Sequence, residues 1–300
     1  MAAHVRRINS QDKIATGILT AIVGLVLLIL AAIVIYILVA GAGKLFDVSF
    51  LTSKPQQFKA GGGIGPELFN SFYLLFLTLV ISVPLSLGAA IYLSQYAPEN
   101  WVTSVAKTII ETLSSLPSIV VGLFGFLFFV LTMGWGFSVI AGAVALTMFN
   151  IPILVRTCQQ ALEDVPRSQR DAGLAMGLTR WETTIHVLLP AAMPAIVTGI
   201  VLSAGRVFGE AAALIFTAGQ SAPVLDFTCF DLLSPSCPWN IFRPAETLAV
   251  HIWKINSEGV VPDLEAISNG TAAVLMVCIL AFNLIARFVG KLLERRLTSE

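Results

Sequence analysis

The longest stretches free of Asp, Glu, Lys and Arg limit what this chain can fold into, because a helix that crosses a bilayer needs about 20 mostly apolar residues. Thirty such residues separate Lys13 from Lys44, 31 separate Glu67 from Glu99, and 44 separate Glu111 from Arg156. The third run is long enough for two helices. Met133-Gly134-Trp135-Gly136 at its middle supplies the turn, and Trp135 suits a membrane interface. A further 23 uncharged residues run from Thr183 to Gly205, and after Arg206 and Glu210 another run extends from Ala211 to Leu225. The spacing predicts one helix there, roughly 191–218, carrying both charges. The last run, Ala266 to Ala286, gives a sixth helix. Six apolar helices in 300 residues leave too little polar chain to bury them in a soluble core. Only 12% of residues are charged, about half the roughly 25% usual for a soluble domain. The expected fold class is an all-α membrane protein with six transmembrane helices.

The 18 basic and 18 acidic residues cancel, so no long-range field favours nucleic acid. Their placement is more informative than their sum. Arg6, Arg7, Lys13, Lys107, Arg156, Arg167, Arg170, Arg180, Arg287, Lys291, Arg295 and Arg296 fall on one side, 12 cations with nine acids; Lys44, Lys54, Lys59, Arg243 and Lys254 fall on the other, five cations with eight acids. Only Arg206 and Glu210 remain in the membrane. By the positive-inside rule both termini are cytoplasmic. The first run exceeds the 7–15 apolar residues of a cleavable signal and is an uncleaved span. The expected organisation is a cytoplasmic N-terminus (1–13), a first span (14–40), an external loop (41–67), a core with five spans (68–290) and a cytoplasmic tail (291–300). Within the core, 163–190 is cytoplasmic and 219–265 is external.

Gly61-Gly62-Gly63-Ile64-Gly65-Pro66 superficially suggests a phosphate-cradling loop, but the Gly-Lys-Ser/Thr of a Walker loop occurs nowhere in the chain. A flexible turn is the reading here, and no ATPase resides in this polypeptide. His4, His186 and His251 form no His-Glu-x-x-His pattern, which argues against an intramembrane enzyme. In the second external loop, Leu248, Ala249, Ile252 and Ile255 have helical spacing, predicting a short amphipathic helix over 245–255. Cys229 and Cys237 lie in the same loop, where oxidation is permitted, so a disulfide and two free thiols are both open. Cys158 and Cys278 read as packing residues.

The cytoplasmic segment from Glu163 to Pro190 carries the most information. Pro166 suits a first helical turn, Asp171 to Met176 continues it, and Gly177 ends it with a left-handed cap. A second short helix starts near Thr179 or Arg180 and stops near Pro190. Such a helix-turn-helix can dock on a partner or merely be a solvated positive loop. Asp171-Ala172-Gly173, Gly177 and Val187, Leu189, Pro190 resemble, in spacing, the EAA loop of ABC-importer permeases. Gly63 to Ser71, Leu116 to Leu123 and Gly205 to Ala212 are further similar to phosphate-specific permeases of the PstA type. The resemblance implies a type I importer permease fold (MetI-like) in a bacterial or archaeal inner membrane, forming half of a phosphate channel. It also implies a second permease (PstC-like), a dimeric ATPase (PstB-like) holding ATP and Mg, and an extracellular phosphate-binding protein (PstS-like). This chain itself needs no cofactor. Asp171, Ala172 and Gly177 become the coupling segment, flanked by Arg167 and Arg170. Permeases for sulfate or molybdate share these features, and an ion-coupled secondary transporter is the rival outside the class.

Arg206 and Glu210, at i and i+4, are expected on one helix face. Arg before Glu is the weaker order, leaving the guanidinium free for other acceptors. A planar donor fork suits phosphate oxygens. A place on the anion path and a salt bridge locking two permease subunits are both open. Gly205 and Gly209, at GxxxG spacing, are compatible with either.

Overall fold

The computed structural model describes residues 2–56, 59–221, 223–259 and 261–298, which contain helices and no strand. The terminal charges Arg6, Arg7, Lys291, Glu294, Arg295, Arg296 and Glu300 lie outside the described side chains. Five helical stretches are long and apolar enough to cross a membrane: Asp12–Leu45, Gly65–Tyr96, Val139–Glu163, Arg180–Phe208 and Leu264–Ile285. A broken pair, Trp101–Ser114 and Ser118–Thr132, passes the same test only when taken together and is bent by 96°, the shape of a broken span or a re-entrant loop. The charge-free runs thus become spans.

In chain order the elements are α1 (Ala2–Leu45), α2 (Val48–Thr52), α3 (Gly65–Ile91), α4 (Trp101–Ser114), α5 (Ser118–Gly125), α6 (Val139–Glu163), α7 (Arg167–Ala175), α8 (Arg180–Thr183), α9 (Leu189–Phe208), α10 (Ala212–Thr217), α11 (Leu248–Glu258) and α12 (Leu264–Thr298). Wide π-turns extend α3 through Tyr92–Tyr96 and α5 through Phe126–Thr132, and join α8 to α9 through Thr184–Leu188.

The core is α3 against α6, with α9, α10 and α12 around them. Small residues let these helices approach: a Cβ on Gly142 of α6 would lie 2.8 Å from the Ala218 methyl and 3.3 Å from Leu74. A polar clamp crosses the same layer, in which Asn150 of α6 donates to Ser82 of α3 at 3.1 Å and accepts from Ser203 of α9. In contrast, α1 stands with its apolar side chains exposed, as suits contact with lipid, and touches α12 through glycines. A Cβ on Gly41 would meet the Asn269 carbonyl at 2.4 Å, and one on Gly270 would meet Lys44 at 2.7 Å. The turn at 133–136 forms as read, with Gly134 and Gly136 at φ +71° and +63°.

Helix α4 was not evident from the charge-free runs. Asn100 caps it at the Thr103 amide, and its Trp101, Val105 and Ile109 stripe is exposed, while Glu111 pairs with Arg156 on α6. Such a helix suits the plane of an interface. The bend follows from Pro117, which lacks an N–H and holds Leu116 out of the helical region.

Three local expectations are corrected. The helix starting at Arg180 does not stop near Pro190; it runs to Phe208. A π-turn over Thr184–Leu188, in which the Leu189 amide donates to the Thr184 carbonyl, widens the helix just ahead of Pro190, and the proline is accommodated rather than terminating. The helix expected over 191–218 is broken at Gly209–Ala211, so Arg206 ends α9 and Glu210 lies outside both helices. Glu210 instead accepts from the Ala213 amide at 3.3 Å, occupying a free donor of the α10 N-terminus. The glycine run is not a flexible turn. Gly63, Ile64 and Gly65 amides donate to the Lys54, Phe50 and Ser53 carbonyls at 3.1, 2.8 and 2.9 Å, and a Cβ on Gly63 would sit 2.6 Å from the Phe50 oxygen.

The loop over 219–265 builds a helix, at Leu248–Glu258 rather than 245–255, capped by Thr247 and ended by Gly259 at φ +62°. The anchor ahead of it is Arg243, 1% exposed. It donates to the Pro238 carbonyl (3.0 and 3.3 Å), the Pro244 carbonyl (3.2 Å) and Asn70 Oδ1 (2.7 Å), tying the loop to α3. Loop carbonyls of Arg243 and Ile241 accept from Val139 and Ile140, satisfying the free N–H groups that start α6. Burial pushes the Arg243 guanidinium down to about 10, which still leaves it charged at neutral pH. Cys229 and Cys237 are unbonded thiols here, with Cys237 Sγ 3.2 Å from the Cys229 carbonyl.

Candidate functional site

The segment from Glu163 to Pro190, expected to couple to an ATPase, is built as a tight helical corner. Asp164 ends α6, Pro166 precedes α7, and Gly177 takes φ +87°, a conformation L side chains rarely adopt. Thr179 and Glu182 then form a reciprocal capping box, with Thr179 N to Glu182 Oε2 at 2.8 Å and Glu182 N to Thr179 Oγ1 at 3.2 Å. The corner closes where Gly173 meets Thr183; a Cβ there would lie 2.8 Å from the threonine methyl. Small size at position 173 is therefore a packing requirement.

The structure divides the residues expected to act together. Asp171, Ala172 and Gly177 are exposed on the corner. Arg167 and Arg170 instead line a cavity of ≈ 460 Å³ between the corner, the end of the second span and α4, shared with Gln95, Glu99 and Lys107. What the sequence reading missed is apolar: Met176 (81% exposed) and Trp181 (58% exposed) stand out beside the charged residues. Exposed large apolar side chains on a charged corner mark a contact surface, and tryptophan is favoured at the energetic centres of interfaces. A single Trp two residues after the cap was the available signal.

Arg206 sits in the last turn of α9, side chain exposed, its guanidinium 4.3 Å from the centre of the Phe149 ring of α6. Phe149 adjoins Asn150 of the polar clamp and is 2% exposed, so the ring is a fixed platform. Among the described residues Arg206 makes no ion pair and no hydrogen bond, since Glu210 is turned to α10. Gly205 and Gly209 face α12, near Asn283 (3.4 Å) and Ile279 (3.9 Å). The GxxxG spacing thus packs two helices of this chain together, and Arg206 lies on another face. Phe149 could not be paired with Arg206 from sequence, because they are on different helices.

Apolar helices long enough to span a bilayer and a charged corner with exposed apolar side chains describe a multi-pass membrane protein. Residues 82–299 match the family described as binding-protein-dependent transport system inner membrane component, and the chain belongs to that family. It is 50% identical over 288 residues to the probable ABC transporter permease protein YqgI of Bacillus subtilis, covering 96% of this chain and 98% of that one. It is 34% identical over 246 residues to the phosphate transport system permease protein PstA of Yersinia pestis, covering 80% and 76%. The fold is shared with the inward-facing MetNI methionine ABC transporter at TM-score 0.57 and 18% identity, over 77% of this chain and 94% of that one. The chain is an inner-membrane permease component of binding-protein-dependent import, a class that works with an ATPase and a binding protein.

Proposed function

We propose that this permease carries inorganic phosphate, forming half of the translocation pathway with a PstC-like second permease. A PstB-like ATPase dimer docks on the corner from α7 to α8, and a PstS-like protein delivers the anion from outside; both termini are cytoplasmic. The observation that supports this reading most is Arg206. Its guanidinium lies 4.3 Å from the centre of the Phe149 ring with no hydrogen-bond partner among the described residues, and a planar fork matches the oxygens of a phosphate. Holding the charge by cation–π contact rather than by a carboxylate keeps it available to a passing anion. The likeness to PstA agrees with the reading.

Transport then follows from a two-state equilibrium biased by nucleotide. Closure of the ATPase dimer displaces the exposed corner, and α8–α9, unbroken from Arg180 to Phe208, carries that displacement to Arg206. Glu210, fixed on the α10 amide, stays clear of the arginine. The test is ATP hydrolysis by the reconstituted complex, with the anion presented by its binding protein. Phosphate stimulates it and sulfate does not; stimulation by sulfate alone would assign another oxyanion. Membership of the binding-protein-dependent transport family sets the ion-coupled transporter aside.

A further inference from the structure

We propose that Glu67 and His251, with Glu246 orienting the histidine, form a binding site for a divalent transition-metal ion of the zinc type at the outer end of the core, separate from the anion pathway. Glu67 stands in the first turn of α3, Glu246 just ahead of α11, and His251 and Lys254 on the buried face of α11. Their donor atoms come within 4.8 Å of one another. All three residues are at most 4% exposed.

The hydrogen bonds of this cluster are complete on one side and missing on the other. Glu246 Oε1 lies 2.7 Å from His251 Nδ1, and Oε2 accepts from Lys254 Nζ at 3.0 Å. Lys254 also donates to the Gln220 carbonyl at 2.7 Å. That leaves Glu67 Oε1, Glu67 Oε2 and His251 Nε2, each buried with no partner among the described residues. Buried carboxylates are paired or coordinate metals, and a bare one is strongly disfavoured. The unpartnered atoms are an imidazole nitrogen and carboxylate oxygens, the set that suits zinc, in a group of three residues whose ligand atoms lie within 4.8 Å of one another. The Glu246 carboxylate on Nδ1 orients the ring and leaves Nε2 as its free nitrogen, as outer-shell carboxylates do for metal-bound histidines. Lys254 binds the other Glu246 oxygen, balancing that charge and leaving Glu67 as the anion to be neutralised.

Access is also present. A cavity of ≈ 160 Å³ lined by His251, Lys254, Gln56, Gly62 and Gly63 adjoins the cluster. It has room for the waters that would complete a coordination sphere. Its glycine wall is the run pinned to the Lys54, Phe50 and Ser53 carbonyls. A bound ion would join α3 to α11 and staple the two external segments.

The test uses the full chain without a polyhistidine tag, in lipid nanodiscs, stripped with chelator and titrated with Zn²⁺. One ion per chain is expected, with an X-ray absorption shell of nitrogen and oxygen only. His251→Gln and Glu67→Gln should each weaken binding at least tenfold while the helical melting transition persists. No stoichiometric Zn²⁺ on a wild type that melts cooperatively would overturn the proposal, as would sulfur in the shell or wild-type affinity in His251→Gln. If the wild type binds no metal but its melting shifts with pH in a Glu67-dependent way, the cluster shares a proton instead and the metal site is refuted.

Discussion

Arg243 and Arg206 are the same side chain put to opposite uses. Arg243 is 1% exposed, and its guanidinium donates to two backbone carbonyls and Asn70. Arg206 is exposed and, among the described residues, rests on Phe149 without an acceptor. A fully satisfied buried charge holds structure in place, and spending its donors inside the chain leaves none for a ligand. A charge kept on an aromatic face retains its donors. The two arginines differ in the state of their donors, and under the proposed function it is the arginine with free donors that meets the anion.

The sharpest way to break this comparison is Arg206→Gln. Phosphate uptake should fall by about 100-fold or more, close to 3 kcal/mol, while the complex still assembles and melts within a few degrees of wild type. Loss of assembly would make Arg206 an interface lock, and unchanged uptake would remove it from the pathway. Arg243→Met should do the reverse. It strips donors from buried acceptors and should cost about 3 kcal/mol of stability, read as a lower melting temperature, with transport per folded molecule retained.

Smaller effects are expected at the corner. Gly177→Asp forces a side chain into φ +87°, costing about 1–2 kcal/mol locally; ATP hydrolysis should continue with uptake uncoupled from it. Normal coupling would dissociate the corner from the lever. Trp181→Ala should weaken ATPase binding by about tenfold, close to 1.4 kcal/mol, measured by co-purification at graded salt, and leave the melting temperature unchanged.

The spans were legible because burial in lipid forbids charge, and that rule acts along the chain. What acts across the chain was not. The break at Gly209–Ala211 is invisible in an Arg-x-x-x-Glu spacing, since the competing partner of Glu210 is a backbone amide at Ala213. Pro190 read as a stop because a π-turn leaves no composition signal. The glycine run read as a linker although its glycines permit close backbone approach. The Glu67–Glu246–His251 cluster joins positions far apart in sequence, and no motif spacing announces it. At the coupling corner, Gly177 and the Thr179 cap were readable, whereas the orientation of Arg167 and Arg170 toward a cavity depends on α4.

The stretch from Arg180 to Phe208 is one rod of 29 residues, about 44 Å long at 1.5 Å per residue. Its two ends face different tasks, so the rod fixes not only a distance but an angle between them. The extra residue held in the Thr184–Leu188 turn sets that angle. Removing one residue there would turn Arg206 by about 100° relative to Trp181, swinging the guanidinium off its ring without altering any residue near it. In the transport cycle proposed above, the π-turn would set the phase between the corner and the guanidinium.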